Sequence, residues 1–192
     1  MRIDQILVEH VINAFKPADK ERYADLVWDM LQTGYASVGG FHSSPDKEDL
    51  VNNTGLWKLV KRGDVITAVS IYKDHYGRKA IAATTDGTTQ GRKDYSMISK
   101  EDMQQNRAWA EASGAPEKIL MRMGAKPLPN KFAHILTGKE ILNLNPDGYH
   151  YTRMIGGEPH EKIIFGVVKF SPAQAEALRD QGINLKDLPN SI

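Results

Sequence analysis

Residues Trp57–Thr85 read WKLVKRGDVITAVSIYKDHYGRKAIAATT, three β-segments separated by two tight turns. In the middle segment Val65, Thr67, Val69 and Ile71 alternate with Ile66, Ala68, Ser70 and Tyr72. Both sets are mostly apolar or β-branched, the pattern of a strand covered on both faces. Arg62-Gly63-Asp64 and His75-Tyr76-Gly77-Arg78 are the turns, each with a glycine able to take positive φ. A meander of this kind needs packing partners on both faces, and the flanking chain has to supply them.

Upstream, residues 3–15 fit two patterns. Ile3, Leu7, Val11 and Ala14 share a helix face, while the run Val8–Phe15 also suits an edge strand. From Pro17 a helix is predicted, with Asp19 as cap, a stripe of Tyr23, Leu26, Val27, Met30 and Leu31, and Gly34 as its stop. The segment 33–55, rich in Gly, Ser and Asn, reads as a mobile loop beside a surface cleft, with a short helix opened by Ser44-Pro45.

Downstream, the third strand, Lys79–Thr85, runs into Asp86-Gly87-Thr88-Thr89-Gln90-Gly91-Arg92-Lys93, a polar loop with two glycines and two adjacent cations. Ser99 and Asp102 have capping-box spacing and predict the start of a short polar helix. Arg107–Ser113 is a strand candidate with Trp109, Glu111 and Ser113 on one face and alanines on the other. Gly114-Ala115-Pro116 opens a helix carrying Ile119, Leu120 and Met123 and ending at Gly124, and Asn130 caps another piece through Leu136. Two last strands, Tyr149–Ile155 and Lys162–Phe170, are joined by Gly156-Gly157-Glu158-Pro159. Ser171-Pro172 opens a C-terminal helix to Asp180, and the tail from Gln181 carries few packing signals.

Composition bounds the function classes. The 192 residues suit one well-buried domain, and 41% hydrophobic with 26% charged residues is an ordinary globular balance. A net charge of +1 argues against a general polyanion binder. The absence of cysteine removes disulfides, thiolate metal sites and a cysteine nucleophile together. The six histidines have no helical pairing, so no metal site is expected. Asp4, Glu9 and His10 interrupt the N-terminus, and no apolar run reaches membrane-spanning length; a cytoplasmic protein with no membrane partner is expected.

Helix, loop, helix, three-strand meander, loop plus helix, strand, helix and a final strand pair is the order of elements in the GNAT superfamily of N-acyltransferases, which residues 17–170 resemble. The resemblance implies an α+β fold, layered α/β/α, with a mixed, mostly antiparallel central sheet and helices on both faces. It implies one domain over residues 1–170, followed by a C-terminal helix and tail over 171–192. It also implies acetyl-CoA or another acyl-CoA as co-substrate, its pyrophosphate held by the loop through Thr84, Thr85, Gln90, Gly91, Arg92 and Lys93, with RAWAEAS splayed to admit the pantetheine arm. The family pattern places Gln or Arg, two residues, Gly, one residue, then Gly or Ala; Gln90-Gly91-Arg92-Lys93 has no second small residue there. The pieces 109–130, 136–141 and 146–166 are similar to phage-encoded GNAT-like proteins, some acting in DNA modification and some internal to the virion. That similarity implies the host cytoplasm or the virion as location and viral structural proteins as partners, with nucleic acid left open.

Each candidate residue has two readings. The Gly-flanked cations Arg92 and Lys93 ahead of a helix suit an anion site, or form a solvated loop, and Glu101 and Asp102 work against the anion. Glu111, on a strand of Ala and Trp, suits a general base for an attacking amine, or an ion pair with Arg107 or Arg153. In Tyr149-His150-Tyr151-Thr152-Arg153, Tyr151 or His150 suits the acid that protonates a leaving thiolate and Arg153 a substrate anion; the bland alternative is cross-strand packing. Ser113 lacks a nucleophile-elbow flank, so a serine hydrolase is not expected. Two functions follow: an N-acyltransferase acting on a small-molecule or macromolecular amine, or a non-catalytic GNAT-like structural or binding protein such as a virion or assembly component.

Overall fold

The computed structural model describes residues 9–36, 44–104 and 108–188. The segments 1–8, 37–43, 105–107 and 189–192 lie outside it, and with them part of the expected mobile loop, Arg107 and the chain's last residues. The chain is α+β and falls into two compact units: residues 1–73 with 80–99, and residues 74–79 with 100–192.

In the first unit the strands run in the order β1 (Glu9–Ala14), β2 (Trp57–Arg62), β3 (Val65–Asp74) and β4 (Arg78–Thr85). β1 and β3 both pair antiparallel with β2. The open choice at the N-terminus is thus decided: residues 9–14 are a strand, because β2 offers a free edge that Glu9–Ala14 satisfies in register from Arg62 to Trp57. Helices α1 (Pro17–Glu21), α2 (Ala24–Ala36) and α3 (Lys47–Asn52) follow in chain order. Val27 and Leu31 of α2 and Leu50 and Val51 of α3 share one core with Trp57, Leu59, Val69 and Ile71. Helix α4 (Thr89–Gln104) sets Ile98 on the opposite face, against Val60 and Ala68.

Several predicted details are corrected. The helix from Pro17 is two, since Pro17 opens α1 behind an N-cap at Lys16 that makes no side-chain cap, and Asp19 lies in its first turn. Leu26 of the expected stripe is 52% exposed. Gly34 does not stop α2 but lies inside it, where a Cβ would meet Thr84 Oγ1 at 2.1 Å. Its missing side chain serves close approach. Helix α3 is capped by Asp46, whose side chain accepts from Asp49 N at 2.8 Å, rather than opened at Ser44-Pro45. Buried Lys20 donates to the carbonyls of Val51 (3.2 Å) and Thr54 (2.6 Å), at the C-terminal end of α3 where a cation suits the helix dipole.

The largest correction is α4, which begins ten residues before the Ser99 expected to open it. Thr88 Oγ1 accepts from Gly91 N at 2.9 Å and starts the helix. Gly91, Asp94, Ile98, Ser99 and Asp102 are buried positions of α4 and only Ile98 of these is a large apolar residue, so hydrophobic periodicity could not mark it. The polarity has a partner. Between Val60↔Ala68 and Lys61↔Ile66 the β2–β3 register skips Thr67, a bulge. Thr67 Oγ1 donates to Asp94 Oδ2 at 2.6 Å, and Arg62 reaches both carboxylate oxygens, at 2.8 Å through Nε and 2.7 Å through Nη2. Gln90 Nε2 adds a fourth bond at 2.8 Å.

In the second unit the order is β5 (Trp109–Ala112), β8 (Glu158–Gly166), β7 (Tyr151–Ile155) and β6 (Asn143–Leu144), all antiparallel. On one face Trp109, Tyr151 and Ile164 pack with Leu128, Phe132, Ala133 and Leu136, the last two from α6 (Ala133–Thr137). On the other, Leu120 of α5 (Ala115–Arg122) packs on Ala112, Ile163 and Phe165. The β7–β8 turn is only Gly156-Gly157, at φ 59° and 86°, the sign a two-residue hairpin needs. β8 therefore starts at Glu158 and ends at Gly166 rather than spanning 162–170. Pro159 is tolerated because it pairs only with β7, where β5 does not reach. A capping box of Ser171 and Gln174 opens α7 (Pro172–Asp180), and Leu188 of the tail is buried in the Trp109–Tyr151 core. No helix among the described residues is long and apolar enough to cross a membrane.

Asp94→Ala should lower unfolding free energy by about 3 kcal/mol in urea titrations, because it strands the partly buried Arg62 charge. Arg62 holds the Asp94 carboxyl down at about 2, so this contribution is present above the ordinary carboxylate value of 3.8 and is lost as pH falls towards 2. The gap between wild type and variant should close over that window.

Candidate functional site

In the first unit, strand β4 delivers the chain into the loop that opens α4. Asp86 N donates to Thr67 O at 2.9 Å, fixing the loop on the bulge. Asp86 Oδ1 then accepts from Thr88 N at 3.0 Å and Thr88 Oγ1 at 2.7 Å. Gly91 is required there: a Cβ would lie 2.1 Å from Asp86 Oδ1 and 2.7 Å from Thr67 O. Of the residues the resemblance assigned to phosphate, Thr85 accepts from Gly87 N at 3.1 Å and Gln90 is turned to Asp94. Thr84 lies against Gly34, and Arg92 Nη2 donates to Gly87 O at 3.3 Å; Arg92 and Lys93 are exposed. Asp86 Oδ1 thus holds both donors of Thr88, the residue ahead of α4, and Gly91 N is taken by Thr88 Oγ1. Glu101 and Asp102, expected in the first turn, both sit in the fourth turn of α4 and do not act there.

In the second unit, register places Glu111 opposite Ile164, Tyr151 opposite Lys162 and Arg153 opposite His160, all on one face. Arg153 reaches across β8 to Glu111, with Nε at 2.9 Å and Nη2 at 2.5 Å from the same oxygen, Oε1. This realises the ion-pair reading of Glu111. The other oxygen, Oε2, is buried with no hydrogen-bond partner, and so is Tyr151 Oη. Tyr151 is 0% exposed, and burial and then the Glu111 charge push its phenol up, so it stays protonated. Lys162 donates to Ser113 Oγ at 3.0 Å, and burial lowers its ammonium below the ordinary value, partly offset by Glu111.

His150 does not share β7. The strand starts one residue later, because Asp147 Oδ1 accepts from the amides of Tyr149 and His150, both at 2.9 Å, in a turn. The imidazole is instead clamped between carboxylates, with Nδ1 on Asp147 and Nε2 3.0 Å from Glu117 of α5. Tyr149 is exposed. Asp86, Asp147, Glu117 and Lys162 were not singled out from sequence; only Asp86-Gly87 and Asp147-Gly148 carried a local signal, that of turns. Among the described residues no cluster of three or more His, Asp or Glu side chains is set to hold a metal. A surface pocket of about 270 Å³ lies among α1, α2 and α3, lined in part by Glu21, Asp25, Lys47 and Glu48, and none of the candidate residues lines it.

Neither protein-family models nor curated proteins give a match to the chain. Among solved structures, a tandem GNAT protein from the clavulanic acid biosynthesis pathway is 13% identical at TM-score 0.44, over 64% of this chain and 46% of its own. The chain thus spans under half of that protein. An IAA acetyltransferase from Bacillus cereus is 11% identical at TM-score 0.42, over 81% of this chain and 97% of its own. A protein assigned to the GNAT family of acetyltransferases, from Desulfovibrio desulfuricans, is 14% identical at 0.45, over 82% and 97%.

Arg153→Met should destabilise by about 3 kcal/mol, because it leaves the buried Glu111 carboxylate without its cation, while the double variant Glu111→Gln/Arg153→Met should recover most of that loss. Thermal melts of the three proteins test this cycle. Asp147 and Glu117 raise the His150 imidazole above its ordinary 6.5, Asp147 most. Its stabilising contribution is complete below 6.5 and fades as pH rises through the raised value. Wild type should therefore exceed His150→Gln in stability at pH 5.5, by a margin that shrinks towards pH 9.

Proposed function

We propose that this chain is a GNAT-like N-acyltransferase, moving an acyl group from acyl-coenzyme A to an amine by direct attack. The reading rests on the two buried, unpartnered oxygens on one sheet face, Glu111 Oε2 and Tyr151 Oη. A buried polar atom without a partner costs stability, and such costs persist where a site needs them. The roles differ in sign. The carboxylate Oε2 takes the proton from the amine as nitrogen bonds the thioester carbonyl, and the protonated phenol donates to the sulfur as the C–S bond breaks. Arg153 holds Glu111 in place through Oε1. The coenzyme would supply the activated thioester. For its phosphates the loop from Thr84 to Lys93 offers the α4 start and the cations Arg92 and Lys93, once Asp86 turns away.

A second reading is favoured by Asp86 itself and by the complete burial of Tyr151: a GNAT-like structural or binding protein, with viral structural proteins as one class of partner. The two diverge on Tyr151→Phe. The variant removes one buried hydroxyl and keeps the ring, so its stability should stay within about 1 kcal/mol of wild type. In the enzyme, acyl transfer from acetyl-CoA to an amine acceptor should fall about 100-fold in a thiol-release assay. Calorimetric titration with acetyl-CoA decides the donor: Asp86→Asn should bind more tightly than wild type, and an absence of heat in both proteins at millimolar ligand selects the second reading.

A further inference from the structure

Ser113 and Lys162 belong to neither the direct-attack chemistry nor the core, and their placement is specific. Ser113 is the residue between the end of β5 and Gly114, which takes φ 61° and N-caps α5. Ser113 therefore stands directly before the N-cap of α5. Lys162 comes from the neighbouring strand β8, opposite Tyr151, and holds Ser113 Oγ at 3.0 Å. Among the described residues Lys162 makes this hydrogen bond and no salt bridge, although the Glu111 carboxylate favours its charge. Burial works the other way, against the ammonium of a lysine whose partner is a neutral hydroxyl.

We infer that Ser113 and Lys162 form a nucleophile–base pair that accepts acyl groups covalently from activated esters or thioesters. Ser113 Oγ bonds the carbonyl carbon, and the bond from that carbon to the leaving oxygen or sulfur breaks. The Ser113 proton passes to neutral Lys162 Nζ and from there to the leaving group. Negative charge on the carbonyl oxygen develops beside the start of α5, where the helix dipole favours it. An amine or water then takes the acyl group from Ser113. The burial that lowers Lys162 supports its part as base, with Arg153 acting in the same direction and Glu111 against it. This inference goes beyond direct attack and needs no coenzyme loop.

The test uses the full chain and p-nitrophenyl acetate, which carries no coenzyme. A burst of nitrophenolate should accompany a single acetyl group, mapped to Ser113 by peptide mass spectrometry. Ser113→Ala should abolish the burst and the adduct while melting like wild type. Lys162→Met and Lys162→Arg should both slow acylation about 100-fold, the latter because a cation of the same reach cannot take a proton. Unchanged labelling in Ser113→Ala, acetyl on Lys162 instead of Ser113, or no adduct on folded wild type would overturn the pair. Because acetyl-CoA binding is measured separately, loss of either result leaves the other standing.

Discussion

The carboxylate of Asp94 is the constraint on which the first unit depends. It is 2% exposed and takes four hydrogen bonds, from Arg62 on β2, Thr67 on β3 and Gln90 on its own helix. A buried carboxylate is tolerable only if fully satisfied, so three separate elements must arrive in one arrangement. The bulge at Thr67 is part of that arrangement: it turns the hydroxyl to Asp94 and the carbonyl to Asp86 N. The start of α4 and the loop before it are thereby set by polar bonds rather than by apolar packing.

The second unit uses the same device on a sheet face. Arg153 and Glu111 stand on strands separated by β8 and are joined by a guanidinium long enough to cross it. The bonding is lopsided, with both nitrogens on one carboxylate oxygen. That asymmetry leaves Oε2 without a hydrogen bond on the face that also carries Tyr151, and Lys162 bonds a hydroxyl rather than a carboxylate. The ion pair thus occupies one oxygen of Glu111 and leaves the other unengaged.

How much was legible follows from what each signal measures. The meander was readable, since alternation and turn glycines are local, and its three strands lie where the pattern puts them. Helix α5 was readable from Pro116 and its apolar stripe. The first half of α4 was not, because its inward side chain there is Asp94, which reads as solvated surface until its partners on β2 and β3 are known. At the candidate site, Glu111, Tyr151 and Arg153 were visible as residue types in suggestive places. An ion pair of Glu111 with Arg107 or Arg153 was one of its two readings; that Arg153 is the partner follows from the strand order β5-β8-β7, which depends on contacts distant in sequence.

The amino-acid sequence by itself determined the strand pattern of 57–85, most helix positions and the alternation that puts Trp109 and Glu111 on one face, because local periodicity and turn chemistry decide these. Tertiary structure alone decided that residues 9–14 are a strand, that Gly34 and Gly91 serve close approach, and that Asp86 faces the start of α4. It also decided which oxygen of Glu111 is engaged and that Lys162 finds Ser113. The physical reason is common to all of them: a polar group's role is set by what it meets on burial, and sequence spacing carries the group without naming its partner.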